Sequence, residues 1–156
     1  MDKVKTMECL NQDSECTLEK MVAKVAPLKS DCDEQLIINL TFGEPVKVNG
    51  LKFISSSASK ASRPSTVRVF LNERNVLFSN VNNLAPRDEV KLEYQPGEQG
   101  EVATAFLPRS RFMACYQFTI FITGNEDEED VTILDGFDVL GEVATGQGTS
   151  DLPCKS

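Results

Sequence analysis

Cys115-Tyr116-Gln117-Phe118-Thr119-Ile120-Phe121-Ile122-Thr123 is the stretch whose reading decides the fold class. Phe118, Ile120 and Ile122 occupy alternate positions, and a side-chain period of two belongs to an extended strand with one face in a core. The pattern predicts a strand over Cys115–Thr123 with those three residues inward and Thr119 and Thr123 outward. The same period recurs on both sides of it. Val131 to Leu140 follows, and Val102 to Leu107 precedes. Val90, Leu92 and Tyr94 alternate more weakly, Val76 to Phe78 forms a short run, and Val67, Val69 and Leu71 alternate clearly.

Further toward the N-terminus, Leu36, Ile38 and Leu40 alternate with Asn39 and Thr41, although Ile37 thickens the run. Val46 and Val48 share one phase, and Leu51 and Phe53 fall one register out of it with Asn49-Gly50 between them. Asn-Gly is either a two-residue hairpin turn or a bulge in one long strand. Val46 to Val48 is very short for a strand of its own, which favours the bulge. Only Leu18, Met21, Val22 and Val25 show the i, i+3, i+4, i+7 spacing of a helix face. Pro27 ends that segment, so a helix of about two or three turns is expected to pack on something larger.

About seven to nine short strands without interleaved helices predict an antiparallel all-β sandwich or barrel. Three segments read as exposed loops: Ser55 to Ser65, Leu84 to Glu101, and Gly124 to Asp130. The tail from Val143 to Ser156 is rich in glycine, threonine and serine, lacks apolar periodicity, and is expected to be disordered.

A length of 156 residues fits one domain. The net charge of −8 excludes a general nucleic-acid binder, which needs a basic face to displace counterions from phosphates. It favours a basic partner surface instead. Histidine is absent, which removes Ser-His-Asp and Cys-His catalysis and histidine-ligated zinc. The five cysteines, at 9, 16, 32, 115 and 154, include no C-x-x-C pair. Met1 to Lys24 has no apolar core of a signal peptide, and no stretch approaches the roughly 20 apolar residues of a membrane span. The expectation is a monomer of the cytosol or nucleus with reduced thiols, in which Cys32 and Cys115 pack as small hydrophobes.

Few features could carry chemistry. Glu126, Asp127, Glu128 and Glu129 head an acidic run between two strands. Such a run is a solvated loop that discourages strand-edge pairing, a protein-contact surface, or an oxygen-rich cation site without EF-hand spacing. Arg109 and Arg111, with Lys60, Arg63 and Arg87 in other loops, form a basic rim if the fold gathers them, and are scattered surface charges otherwise. Asp135 and Asp138 have no evident partner nucleophile. Cys115 has arginines within a few residues, which is the one sequence hint of a reactive thiol. No cofactor, metal or catalytic set is expected. With two tyrosines and no tryptophan, the signal for a sugar-binding surface is weak.

Several segments together resemble the PITH domain, the proteasome-interacting module of thioredoxin-like protein. They are Glu8 to Gln12; Ser30-Asp31-Cys32-Asp33-Glu34-Gln35-Leu36-Ile37-Ile38-Asn39-Leu40 with Phe42 and Pro45-Val46-Lys47; Pro64 to Asn72; Leu77 to Val81; and Phe118 to Ile122 leading into Glu129 to Thr132. The resemblance places a PITH domain over residues 8–142, with 1–7 an N-terminal extension. It implies a jelly-roll β-sandwich, similar to galactose-binding-like and anaphase-promoting-complex subunit 10 domains, and association with the 26S proteasome regulatory particle. No thioredoxin domain precedes the module, so redox activity is not expected, and the chain looks like a stand-alone PITH protein. The competing expectation is a small-ligand or glycan-binding jelly roll.

Overall fold

The computed structural model describes residues 4–97, 100–108 and 112–143. In chain order these form β1 (Val4–Leu10), α1 (Leu18–Val22), β2 (Leu28–Lys29), β3 (Leu36–Ser55), β4 (Pro64–Leu71), β5 (Asp88–Lys91), β6 (Gln95–Gly97), β7 (Gly100–Phe106), β8 (Cys115–Asn125), β9 (Ile133–Leu134) and β10 (Gly136–Val143). Every strand pair is antiparallel.

The architecture follows from β3. Twenty residues of strand reach roughly 65 Å when straight. A globule of this length has a radius of gyration of only about 15 Å, so the strand must bend. It does so around Gly43 and Glu44, both exposed. Before the bend, Leu36 to Phe42 pairs with β8 on one side and β1 on the other. Beyond it, Val46 to Ser55 pairs with β10 and β7. One layer therefore runs β5-β4-β8-β3-β1, and the other β10-β3-β7-β6. Leu36, Ile38, Leu40, Val67, Val69, Phe118, Ile120 and Ile122 of the first layer share one core with Leu51, Phe53, Ala103, Ala105, Phe137 and Val139 of the second. At about 1.5–3 kcal/mol for each large side chain removed from water, this interior is the main stabilising term. The result is the expected jelly-roll β-sandwich.

The bulge at Asn49-Gly50 is present. Leu140 pairs with Gly50 and Gly141 with Val48, so Asn49 is the extra residue and both phases of the run reach the core. Gly141 passes so close that a Cβ on it would lie 2.1 Å from the Lys47 carbonyl oxygen.

Other expectations need correction. The N-terminal stretch supplies a full edge strand, β1, beside the helix. That helix has five residues, not two or three turns: Leu18 and Met21 are buried, but Val25 is 71% exposed and Lys24 already turns left-handed at φ 62°. Val76 to Phe78 is not a strand; it belongs to the connection from Asn72 to Arg87. Val76 and Val81 of that connection bury Ile37, Phe70 and Phe121 on the outer face of the first layer. Hence Ile37 and Phe121 are apolar out of phase, and Thr119, expected outward, is buried with its hydroxyl donating to Asn39 Oδ1 at 2.6 Å. The Leu84 to Glu101 segment holds β5 and β6 rather than loop alone, and Ser55 to Ser65 holds a 3-10 turn over Ser57–Ser62. Cys115 is buried as expected, whereas Cys32 is exposed. Residues 144–156, the body of the tail expected to be disordered, lie outside the described residues, as do Arg109 and Arg111. Among the described residues no helix is long and apolar enough to cross a membrane.

Candidate functional site

The strand registers bring the start of β3 and β4, the end of β8, and the turns around Ser56 and Asp135 to one end of the sandwich. The acidic run sits there. Asn125, the last residue of β8, folds it back. Its carboxamide nitrogen donates to the Glu129 and Val131 carbonyls and to Thr132 Oγ1, and its oxygen accepts from the Glu129 backbone N–H at 2.7 Å. Glu128 takes a left-handed φ of 55° at the apex. The backbone N–H groups of Glu126 and Asp127 donate to the Arg63 and Ala61 carbonyls, which ties the loop to the 3-10 turn. With its main chain bound inward, the loop presents Glu126, Asp127, Glu128, Glu129 and Asp130 to solvent.

A second acidic turn adjoins it. Ser30 Oγ accepts from the Thr132 N–H, and Thr132 Oγ1 donates to the Glu34 carbonyl at 2.6 Å. This puts the Asp31-Cys32-Asp33-Glu34 turn beside the loop, and Asp31 and Asp33 are exposed. Asn11 locks that turn: its side chain donates to Asp33 Oδ1 and the Gln35 carbonyl and accepts from the Cys32 N–H. The two turns make one rigid negative rim.

Beneath the rim lies Arg63, 6% exposed. Its guanidinium donates to Glu101 Oε1 and, at 3.2 Å, to Glu126 Oε1, and it lies 4.0 Å from the centre of the Tyr94 ring. The Tyr94 hydroxyl donates to the Pro64 carbonyl. Burial alone pulls the guanidinium toward neutrality, but the Glu101 and Glu126 carboxylates more than offset it and hold it charged. The hydrogen bond from Arg63 in turn holds the Glu101 carboxyl below the usual carboxylate range. Burial pushes the Tyr94 phenol up, with Arg63 opposing. The clamp joins β7, the acidic loop after β8 and the turn before β4. Nothing in the serine-rich sequence around Arg63 marks that role.

Of the expected basic rim, Arg63 is thus spent internally, Lys60 is exposed at the acidic end, and Arg87 sits beside Val69, which its backbone N–H reaches. These three do not gather into a patch. Asp135 Oδ2 accepts from the Ser56 N–H, and Asp138 Oδ1 from the Val139 N–H, which are structural tasks. Cys115, the one thiol with a sequence hint of reactivity, is buried, with its sulfur donating to the Gln117 carbonyl. Among the described residues no group of three or more cysteine or carboxylate side chains is placed to hold a metal ion.

The chain is 29% identical over 140 residues to thioredoxin-like protein 1 of Schizosaccharomyces pombe, covering 87% of this chain and 48% of that protein. It is 28% identical over 116 residues to a PITH domain-containing protein of Caenorhabditis elegans, covering 74% and 53%. The chain thus spans about half the length of these relatives. Among solved structures, it superposes on CBM32-3 from a family 31 glycoside hydrolase of Clostridium perfringens with a TM-score of 0.62 at 8% identity, covering 90% of this chain and 92% of the other. The family 32 CBM from C. perfringens NanJ, solved in complex with galactose, gives 0.57 at 8% identity, covering 86% and 91%. These likenesses show the jelly-roll fold. The family model of the PITH domain matches residues 3–155, and the chain belongs to the PITH domain family.

Proposed function

We propose that this chain is a non-enzymatic protein-binding module that associates with the 26S proteasome regulatory particle, presenting its acidic end to a basic surface there. The observation that carries this reading is the rigid rim formed by Asp31, Asp33 and Glu126 to Asp130, held by Asn11, Asn125 and Arg63. A pre-ordered surface loses little conformational entropy on binding, and contacts concentrate on loops carried by a rigid scaffold. PITH family membership supports the choice of partner, and the structural roles of Asp135, Asp138 and Cys115 support a module without catalysis. The test is capture of regulatory-particle subunits from lysate by the intact chain and by a variant with Asp127, Glu128 and Glu129 changed to lysine. The intact chain is expected to recover them and the variant to lose them. Recovery by the intact chain no better than by an unrelated acidic domain overturns the reading.

A second reading, sugar binding, has one observation in its favour. At the opposite end a recess of about 400 Å³ is lined by Thr41, Phe42, Asn72, Arg74, Tyr116 and Gln117, which sets a half-exposed tyrosine beside polar groups. Galactose titration followed by melting temperature separates the two, since a ligand bound only to the folded state raises it by mass action.

A further inference from the structure

The outer face of the first layer is covered by the 72–87 connection, but the cover is incomplete. Val76 and Val81 of that connection are buried, whereas Leu77 is 46% exposed and Phe78 36% exposed. Between them and the end of β1 runs an apolar groove of about 570 Å³, lined by Leu10, Asn11, Cys32, Asp33, Leu77 and Phe78. Its floor is stiff, because Phe78 packs edge-on against Phe121 with ring centres 6.3 Å apart. Its wall is stiff as well, because Asn11 binds the Asp33 turn. A preformed apolar recess of this size with a few polar groups at its lip is the usual form of a binding pocket.

Charge decides the occupant. Asp33 lies on the groove wall and Asp31 is its exposed neighbour. The acidic loop follows through the Ser30–Thr132 link. Arg68, on the same sheet face, is paired with Glu89 at 2.8 Å. The groove thus joins an apolar floor to a negative rim. We propose that it seats a short peptide segment of the partner protein, with a large aliphatic or aromatic side chain against Leu10, Leu77 and Phe78 and an adjacent lysine or arginine on Asp31 and Asp33. This deepens, and rests on, the protein-binding reading above. The apolar contact supplies affinity and the cation sets orientation and selectivity.

The test uses random 12-residue peptides displayed on phage and selected on the immobilised full chain, with the enriched sequences then made as fluorescein-labelled peptides. Enriched sequences are expected to place Leu, Ile, Met or Phe within about three positions of Lys or Arg. Binding read by anisotropy is expected to fall at least about tenfold in Leu77→Asp and in Asp31→Lys, and to weaken with added salt. Bound peptide is also expected to slow alkylation of the exposed Cys32 thiol on the groove wall. Both substitutions replace exposed side chains, and circular dichroism confirms that each variant folds. Several outcomes overturn the proposal: no enrichment, enrichment without the apolar–basic pairing, or equal binding by Leu77→Asp. Concentration-dependent dimerisation abolished by Leu77→Asp would assign the groove to a second copy and overturn it too. If Leu77→Asp still captures regulatory-particle subunits while the acidic-loop variant does not, the groove fails and the broader function stands.

Discussion

Replacing Arg63 with methionine isolates what holds the acidic end together. The methionine keeps an apolar stem in the buried site and removes the guanidinium, which donates to Glu101 and Glu126 and stacks on Tyr94. Hydrogen bonds to charged groups contribute roughly 1.5–3 kcal/mol where water is excluded. Here the acceptor side chains are 39% and 35% exposed, and screening reduces what their pairing contributes. The stacking adds about 0.5–2 kcal/mol. Against these stands the cost of desolvating a buried cation whose Nε has no hydrogen-bond partner. The net loss for Arg63→Met is about 2 kcal/mol, or about 4–8 °C in melting temperature for a chain of this size.

Thermal unfolding followed by circular dichroism at neutral pH measures that loss, and an acid series tests its cause. Glu101 has a lower pKa folded than unfolded, so the unfolded chain binds more protons in acid. Its stabilising contribution is complete above the ordinary carboxylate range and drains away as the pH falls through and below it. In Arg63→Met that part of the acid limb disappears. A variant melting within about 1 °C of the parent, with an unchanged acid limb, refutes the clamp.

Two further outcomes are expected. Phe121→Ala empties the centre of the second apolar cluster, beneath Val76, Val81 and Phe78. Its cost is about 3–5 kcal/mol by urea denaturation, and a loss below about 1 kcal/mol would show that the 72–87 connection does not pack as a core. Cys9 is half-buried, and burial, with Glu19 and Glu8 nearby, pushes its thiol up to about 12. Stability from this thiol is complete below the ordinary cysteine value and is lost as the pH rises toward that figure. Mass-spectrometric mapping of iodoacetamide adducts in mild alkali should find Cys32 modified before Cys9; the reverse order contradicts the burial of Cys9.

The first layer was legible in the sequence because its inner face carries the unbroken period of Val67-Val69 and Phe118-Ile120-Ile122, and the second because Leu51 and Phe53 alternate on the far side of Asn49-Gly50. The bulge was legible because a phase change around Asn49-Gly50 has few structural meanings. The second apolar face was not. Ile37, Phe70 and Phe121 spoil the alternation only because a connecting segment covers them, and nothing local announces such a cover. Val76 to Phe78 misled for the same reason, since apolar residues that cap a sheet look like residues within one. The acidic loop was visible as composition. Its rigidity depends on Asn125 and Thr132, which act through backbone groups distant in sequence or hidden by the turn. The Arg63 clamp joins residues from three separate segments, so no window of sequence contains it.

Because a single strand, β3, serves both layers of the described residues, the two layers are expected to open together and not in stages. Amides of Leu36 to Thr41 and of Val48 to Phe53 should exchange with solvent only through the same global event, although they face different neighbours. Almost every ladder also unites residues far apart in the chain. Such a topology folds slowly, on a timescale of about milliseconds to seconds. The bend near Gly43 and Glu44 is the corner through which the pairing of one layer passes to the other, so stiffening or loosening it is expected to change the rate of assembly more than the shape that results.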